Sequence, residues 1–199
     1  MMRIGITGGI GSGKSYVCRR LEAMGYPVYD CDAAAKRLMC DDAKIVEGLL
    51  RLMGPEAYVE GRLNKPAVAR YLFRSGRHAA AVNSLVHPAV SQDFVDWAQR
   101  QATPLVFVES ALLFQAQMEK VCDAVWAVSA PLEVRVKRVM QRDHVDEKDV
   151  NSRMAQQMDD SEVLRRSDAV ILNDGQQDID SQLNSLIKSL KTSNHHSSC

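Results

Sequence analysis

The most constraining stretch of the chain is "GITGGIGSGKSY", Gly5–Tyr16, which follows the short apolar start "MMRI". Within it, Gly8 to Ser15 reads G-x-x-x-x-G-K-S, with the strand-like run "RIGIT" before it and the helical run "KSYVCRRLEAMG" after it. A phosphate-binding loop (P-loop) needs strand, loop and helix in that order. Gly8, Gly11 and Gly13 let the backbone take angles closed to other residues, so that successive N–H groups turn inward on an anion. A helix starting near Lys14 adds its positive end at the same point. Lys14 would neutralise the β and γ oxygens of a nucleoside triphosphate, and the Ser15 hydroxyl would hold Mg2+. The plainer reading is a glycine-rich turn that joins strand to helix; the matching flanks favour the nucleotide site.

The rest of the chain fits around such a loop. Short apolar runs at 3–7, 27–30, 104–109, 124–129 and 169–173 lack polar alternation, as strands covered on both faces of a parallel sheet do. Helical patterns fill about 14–24, 33–39, 43–53, 65–74, 78–101, 131–142, 146–158 and 176–191. This alternation predicts an α/β fold, a three-layer parallel sheet with crossover helices. The interval between the second and third strands reads as wholly helical and is too long for one crossover, so 38–101 is expected to be a helical insertion. Within it, "LVHPAV" predicts a helix ending at His87 and another starting with Pro88. In the tail "KTSNHHSSC", 191–199, the residues 192–199 read as frayed polar chain, and His195 and His196 are not taken as metal ligands.

Composition narrows the function classes. With 25 Lys and Arg against 25 Asp and Glu, the 199-residue chain carries no net charge, which argues against a general nucleic-acid or membrane-surface binder. The five cysteines lack C-x-x-C or zinc-like spacing and read as reduced thiols of a cytoplasmic protein. "MMRIGITGG" has no apolar signal-peptide core, and no run approaches the roughly 18 apolar residues of a membrane span. The D-x-x-G and N-K-x-D motifs of a GTPase are not suitably placed, and an ATPase motor would be larger. A small-molecule kinase using ATP fits best, expected as a monomer with an oligomer left open.

Further candidates lie beyond the loop. "YDCD" puts Asp30 and Asp32 at the carboxyl end of the second strand, two apart and so on one face; Asp32 would act as a base, cap the next helix, or both. "PLVFVES" ends in Glu109 and Ser110, and Glu109 would hold a metal-bound water or cap a helix. "RLNKPAVARYLFRSGRH" carries Arg62, Lys65, Arg70, Arg74 and Arg77 with no acid among them. Arg70, Arg74 and Arg77 fall at i, i+4 and i+7, one helical face that would bind an anionic second substrate or simply be solvated. His87 would contact substrate or cap a helix. In "PLEVRVKRVMQRDHVDEKDV", Pro131 opens a helix with Arg138 and Arg142 four apart. These arginines would stabilise phosphoryl charge from a closing lid or form surface ion pairs, and Arg153 could also reach inward. Asn173-Asp174-Gly175 is a turn where an adenine edge could be hydrogen-bonded, or a plain turn.

Taken together, "TGGIGSGKS", "DCDAAAKRL", "LVHP", "ALLF", "KRVMQRD" and "AVILNDG", in that order from residue 3 to about 175, resemble the dephospho-CoA kinases. The resemblance implies transfer of the γ-phosphoryl group of ATP to the ribose 3′-hydroxyl of dephospho-CoA, with Mg2+. It implies a P-loop kinase fold in three lobes: a nucleotide core over 1–37, 102–136 and 165–191, an acceptor-binding helical domain over 38–101, and a lid over 137–164. Gly11, Ser12, Gly13, Lys14, Ser15 and Tyr16 would bind ATP phosphates, and Asp32 would orient or deprotonate the 3′-hydroxyl. His87 and the insertion would shape the dephospho-CoA site, Arg138 and Arg142 would act from the lid, and Asn173 would lie near the adenine. Tyr16 stands where the family commonly has threonine. Ala111 and Gln115 depart from the family's frequent P-L-L-F-E, and Gln115 is left out of the site.

Overall fold

The computed structural model describes residues 1–195, and in it the expected apolar runs are strands. β1 (Met2–Thr7), β2 (Val28–Asp30), β5 (Leu105–Glu109), β6 (Ala124–Ser129) and β7 (Ala169–Leu172) form one sheet in the order β2-β5-β1-β6-β7. β1 runs parallel to both β5 and β6, and β6 runs parallel to β7. Consecutive residues Leu105 to Val108 are all buried, so these strands are covered on both faces, which is why their sequences do not alternate. Ile4, Ile6, Phe107 and Trp126 pack with Val17 and Leu21 of α1 (Lys14–Ala23) and with Ile179, Leu183 and Ile187 of α9 (Ile179–His195). Arg20 Nε donates to Asp180 Oδ1 at 2.8 Å, joining the two helices. α9 continues through His195 rather than fraying from residue 192, because no glycine or proline interrupts it. Residues 196–199, with His196 and Cys199, lie outside the described residues.

Two compact units make up the chain: Met1–Tyr29 with the chain from Gln101 onward, and Asp30–Arg100. The first unit also holds α6 (Leu132–Asp143), α7 (Glu147–Met154) and α8 (Asp160–Arg166), so residues 137–164 are part of it rather than a unit of their own. Pro131, expected as the first helical residue, has ψ 142° and precedes α6 as its cap.

The second unit contains α2 (Cys31–Asp41), α3 (Ala43–Met53), α4 (Lys65–Arg74) and α5 (Gly76–Gln99). α2 belongs here rather than to the nucleotide core: Ala34 and Leu38 are buried, and Arg37 is 2.5 Å from Asp93 of α5. A two-stranded hairpin of β3 (Tyr58–Val59) and β4 (Arg62–Leu63) interrupts what reads in sequence as continuous helix.

Pro88 does not break α5. Val82, Val86, Val90, Phe94 and Ala98 form a buried stripe that runs past it on both sides. A proline inside a helix costs about 3 kcal/mol, and burying one Val or Phe side chain returns about 1.5–3 kcal/mol, so the stripe outweighs the break. The three-arginine face is likewise revised. α4 ends at Arg74, Ser75 is extended at φ −167°, and Arg77 lies in the first turn of α5. Ser75 caps α5 by accepting from His78 N at 3.4 Å, and this cap separates Arg77 from Arg70 and Arg74.

Candidate active site

The loop between β1 and α1 has the geometry that its glycines allow. Gly13 sits at φ 95°, a left-handed conformation that side chains disfavour, and a Cβ there would strike the Asn173 amide. Lys14 Nζ donates to Gly8 O at 2.8 Å and to Gly9 O at 3.3 Å. Around the loop, polar side chains take up its outward carbonyls. Arg135 Nε donates to Ile10 O at 2.9 Å and Asn173 Nδ2 to Ser12 O at 2.8 Å. Arg138 Nη1 lies 3.5 Å from both Gly11 O and Ser12 O. In a trans peptide the C=O of one residue and the N–H of the next point in opposite directions. Capture of the Ile10, Gly11 and Ser12 carbonyls therefore turns the N–H groups of Gly11, Ser12 and Gly13 the other way. Ser12 is buried, and its Oγ has no hydrogen-bond partner among the described residues.

At the start of α1, Ser15 Oγ donates to Glu109 Oε1 at 3.0 Å. Of the two readings open for Glu109, the structure brings it to the loop serine, while Ser110 Oγ accepts from Leu112 N at 3.2 Å and caps the turn after β5. Burial, followed by the charge of Glu109, pushes the Cys18 thiol up, and burial pushes Cys122 up to about 12. Both shifts favour the protonated thiol over the thiolate at neutral pH.

Beside the loop opens a cleft of about 460 Å³, lined by Gly13, Tyr16, Arg138, Asn173, Gly175 and Gln177, among others. Tyr16 is 46% exposed and offers an aromatic face there. Asn173 lines the cleft, but its amide nitrogen is committed to the loop, so the residue supports loop and cleft together. Asp174 forms the turn after β7, and the N–H groups of Gln177 and Gln176 hold its carboxyl below the usual carboxylate range.

The two arginines expected to act together part company. Arg138 faces the loop, whereas Arg142 Nε donates to Asp143 Oδ1 at 2.7 Å with a side chain 63% exposed. Arg153 reaches the same carboxylate at 2.8 Å rather than the loop. Arg142 first, and then Arg153, hold the Asp143 carboxyl low.

β2 ends at Asp30, where the second unit begins, and Asp32 is already in the first turn of α2, so the two carboxylates do not share a strand face. Asp30 is the helix cap, its Oδ1 accepting from Asp32 N at 2.8 Å and Ala33 N at 3.0 Å. That leaves the Asp32 carboxylate exposed and not occupied as a cap. Arg70, Arg74 and Arg77 are exposed. His87, inside α5 and not a cap, is half-buried, and burial lowers its pKa.

Arg135 is one of the residues that sequence reasoning missed. It is 6% exposed and pairs with Asp160 of α8. A signal existed: Arg135 is four residues before buried Val139, on the core stripe of α6, where a charge must find partners.

Comparison with known proteins gives a consistent result. The family profile described as dephospho-CoA kinase matches residues 2–178. The dephospho-CoA kinase of Bacteroides fragilis (strain YCH46) is 39% identical over 196 residues, 98% of this chain and 96% of that one. A crystal structure from Thermus thermophilus has a TM-score of 0.83 at 39% identity, covering 95% of this chain and 97% of that one. The dephospho-CoA kinase of Campylobacter jejuni shares the fold at a TM-score of 0.68 and 21% identity, covering 96% of this chain and 98% of that one.

Proposed function

The chain belongs to the dephospho-CoA kinase family, and from that membership we propose that it transfers the γ-phosphoryl group of ATP to the ribose 3′-hydroxyl of dephospho-CoA. The products are coenzyme A and ADP, and the reaction is the last step of coenzyme A synthesis. The observation that carries the reading is the loop itself, whose outward carbonyls are bonded by Arg135, Arg138 and Asn173, which turns the N–H groups of Gly11 and Gly13 toward the phosphate side. Donors fixed before the reaction stabilise developing charge without a reorganisation cost.

In this mechanism the phosphates lie along Gly8–Ser15, with Gly11 and Gly13 supplying main-chain donors and Ser12 and Tyr16 joining them by sharing N–H groups that now bond Gly9 O and Gly13 O. Lys14 exchanges its loop carbonyls for β and γ oxygens. The nucleoside occupies the cleft beside Tyr16 and Asn173. Asp32 takes the proton of the 3′-hydroxyl as its oxygen bonds to the γ-phosphorus and the bond to the β,γ-bridging oxygen breaks, leaving that electron pair on ADP. Two facts support Asp32 in this role: it stands two residues beyond the carboxyl end of β2, and Asp30 takes the capping task. The exposed Arg70, Arg74 and Arg77, with half-buried His87, would bind the anionic acceptor. Residues 137–164 would serve as the lid, its Gln157 already on the loop, with Arg138 on the phosphates and Arg142 joining by leaving Asp143.

The Ser15 hydroxyl and Glu109 carboxylate, 3.0 Å apart, fit a hard cation such as Mg2+. Among the described residues there is no group of three or more His, Cys, Asp or Glu that could hold a metal, which suits an ion shared with phosphates and water rather than caged by protein. When bound, Mg2+ would neutralise charge on the β and γ oxygens. A cytoplasmic monomer acting on two small molecules, without nucleic-acid or membrane partners, completes the reading. The balanced charge supports it, and no helix among the described residues is long and apolar enough to cross a membrane.

The test is ADP release from Mg·ATP with dephospho-CoA, adenosine, AMP, shikimate or no acceptor. Turnover confined to dephospho-CoA is expected. Equal turnover without an acceptor would contradict the assignment.

A further inference from the structure

Ile10, at the tip of the phosphate loop, is held at both ends of its own backbone by the α6–α8 segment. Its N–H donates to Gln157 Oε1 at 2.7 Å, and its C=O accepts from Arg135 Nε at 2.9 Å. The Arg135 guanidinium is buried, and its Nη1 is paired with Asp160 in the first turn of α8. It also lies against Gly9 so closely that a Cβ there would collide with it.

These bonds fix two consecutive peptide planes. Gln157 draws the Ile10 N–H outward and so turns the Gly9 carbonyl the other way, where it accepts from Ser12 N at 3.2 Å and Lys14 Nζ at 3.3 Å. Arg135 draws the Ile10 carbonyl outward and so turns the Gly11 N–H the other way. With Asp160 beside it, the Arg135 charge is largely balanced. Its value to the loop therefore lies in the guanidinium fork, which reaches a carbonyl and a carboxylate at once.

We propose that Arg135 and Gln157 are positioning residues for phosphate binding, acting through the backbone of Ile10, with Asp160 anchoring the Arg135 fork. The proposal rests on the reading of Gly8–Ser15 as the site of the ATP phosphates. It differs from a plain structural tie between loop and helix in what a substitution changes. A tie alters melting temperature, whereas a positioning role alters affinity for anything that uses the loop N–H groups. It differs equally from a direct charge effect, which Arg135→Lys would preserve.

The experiment is calorimetric titration of wild type, Arg135→Lys, Gln157→Met and the double variant with Mg·ATP and with inorganic tripolyphosphate. The amide signal of Gly11 is followed by NMR in each protein. Wild type is expected to bind both ligands. Each single variant should bind both roughly tenfold more weakly, with the Gly11 signal displaced and the melting temperature within a few degrees of wild type. The double variant should lose less than the product of the two single losses, because both act on one residue. If Arg135→Lys does not fold, Gln157→Met, at a half-buried position, carries the test. Affinities within twofold of wild type for tripolyphosphate in the folded variants would overturn the proposal while leaving the site reading intact. Failure of wild type to bind either ligand would overturn the site reading, and the proposal with it.

Discussion

Around the phosphate loop, Lys14, Arg135, Arg138 and Asn173 spend their hydrogen bonds on main-chain carbonyls, whereas Arg70, Arg74 and Arg77 of the helical unit stand exposed. The first set is ordered before any ligand arrives. The second is not, and fixing each such long side chain on a ligand costs on the order of 0.5–1.5 kcal/mol. Preorganised groups act on the barrier, while groups ordered by binding act chiefly on affinity. Substitution of Lys14, which would meet the transferred group, should therefore reduce turnover, that of Arg135 or Gln157, which only turn loop amides, should weaken ATP binding, and those on α4 and α5 should raise the acceptor KM.

Asp32 gives the largest expected effect and the sharpest challenge to this division, because it falls in the helical unit but is assigned a chemical step. Asp32→Asn should lower turnover by roughly 10²–10⁴-fold with ATP affinity unchanged, as checked by single-turnover rates and calorimetry. Near wild-type turnover would remove it from the mechanism. Lys14→Ala should cost about 10²–10³ in kcat at saturating ATP, and unchanged kcat would break the contrast from the other side. Arg70→Ala and Arg74→Ala should raise the dephospho-CoA KM by roughly threefold to tenfold and leave the ATP KM alone. A fall in kcat with both KM values fixed would place those arginines with the preorganised set.

The smallest effect concerns His87, whose pKa is lowered from 6.5 by burial. Well above pH 6.5 it is neutral in folded and unfolded chains alike. As the pH falls below 6.5 the unfolded chain takes up the proton first, so stability is lost toward the folded-state pKa. His87→Gln should flatten the fall in the urea midpoint between pH 7 and pH 5, and an unchanged slope would contradict the burial argument.

Much of this contrast was legible in the sequence, and the parts that were not share a cause. The strand over Ala124–Ser129 and the helices over Ala43–Met53 and Lys65–Arg74 follow from local pattern. The β3–β4 hairpin escaped because two-residue strands leave no period to detect. Pro88 misled because the buried stripe that outweighs it depends on tertiary packing. At the site, the G-x-x-x-x-G-K-S pattern exposed Lys14 and Ser15. Arg135 and Gln157 act through the backbone of a residue more than a hundred positions away, a relation that spacing does not carry.

The most direct measurement is the structure of the product. After turnover of dephospho-CoA with Mg·ATP, mass spectrometry and phosphorus NMR would locate the new phosphate. One added phosphoryl group on the ribose 3′-oxygen is the predicted result. Phosphate on any other oxygen, or released as inorganic phosphate with dephospho-CoA unchanged, would contradict it.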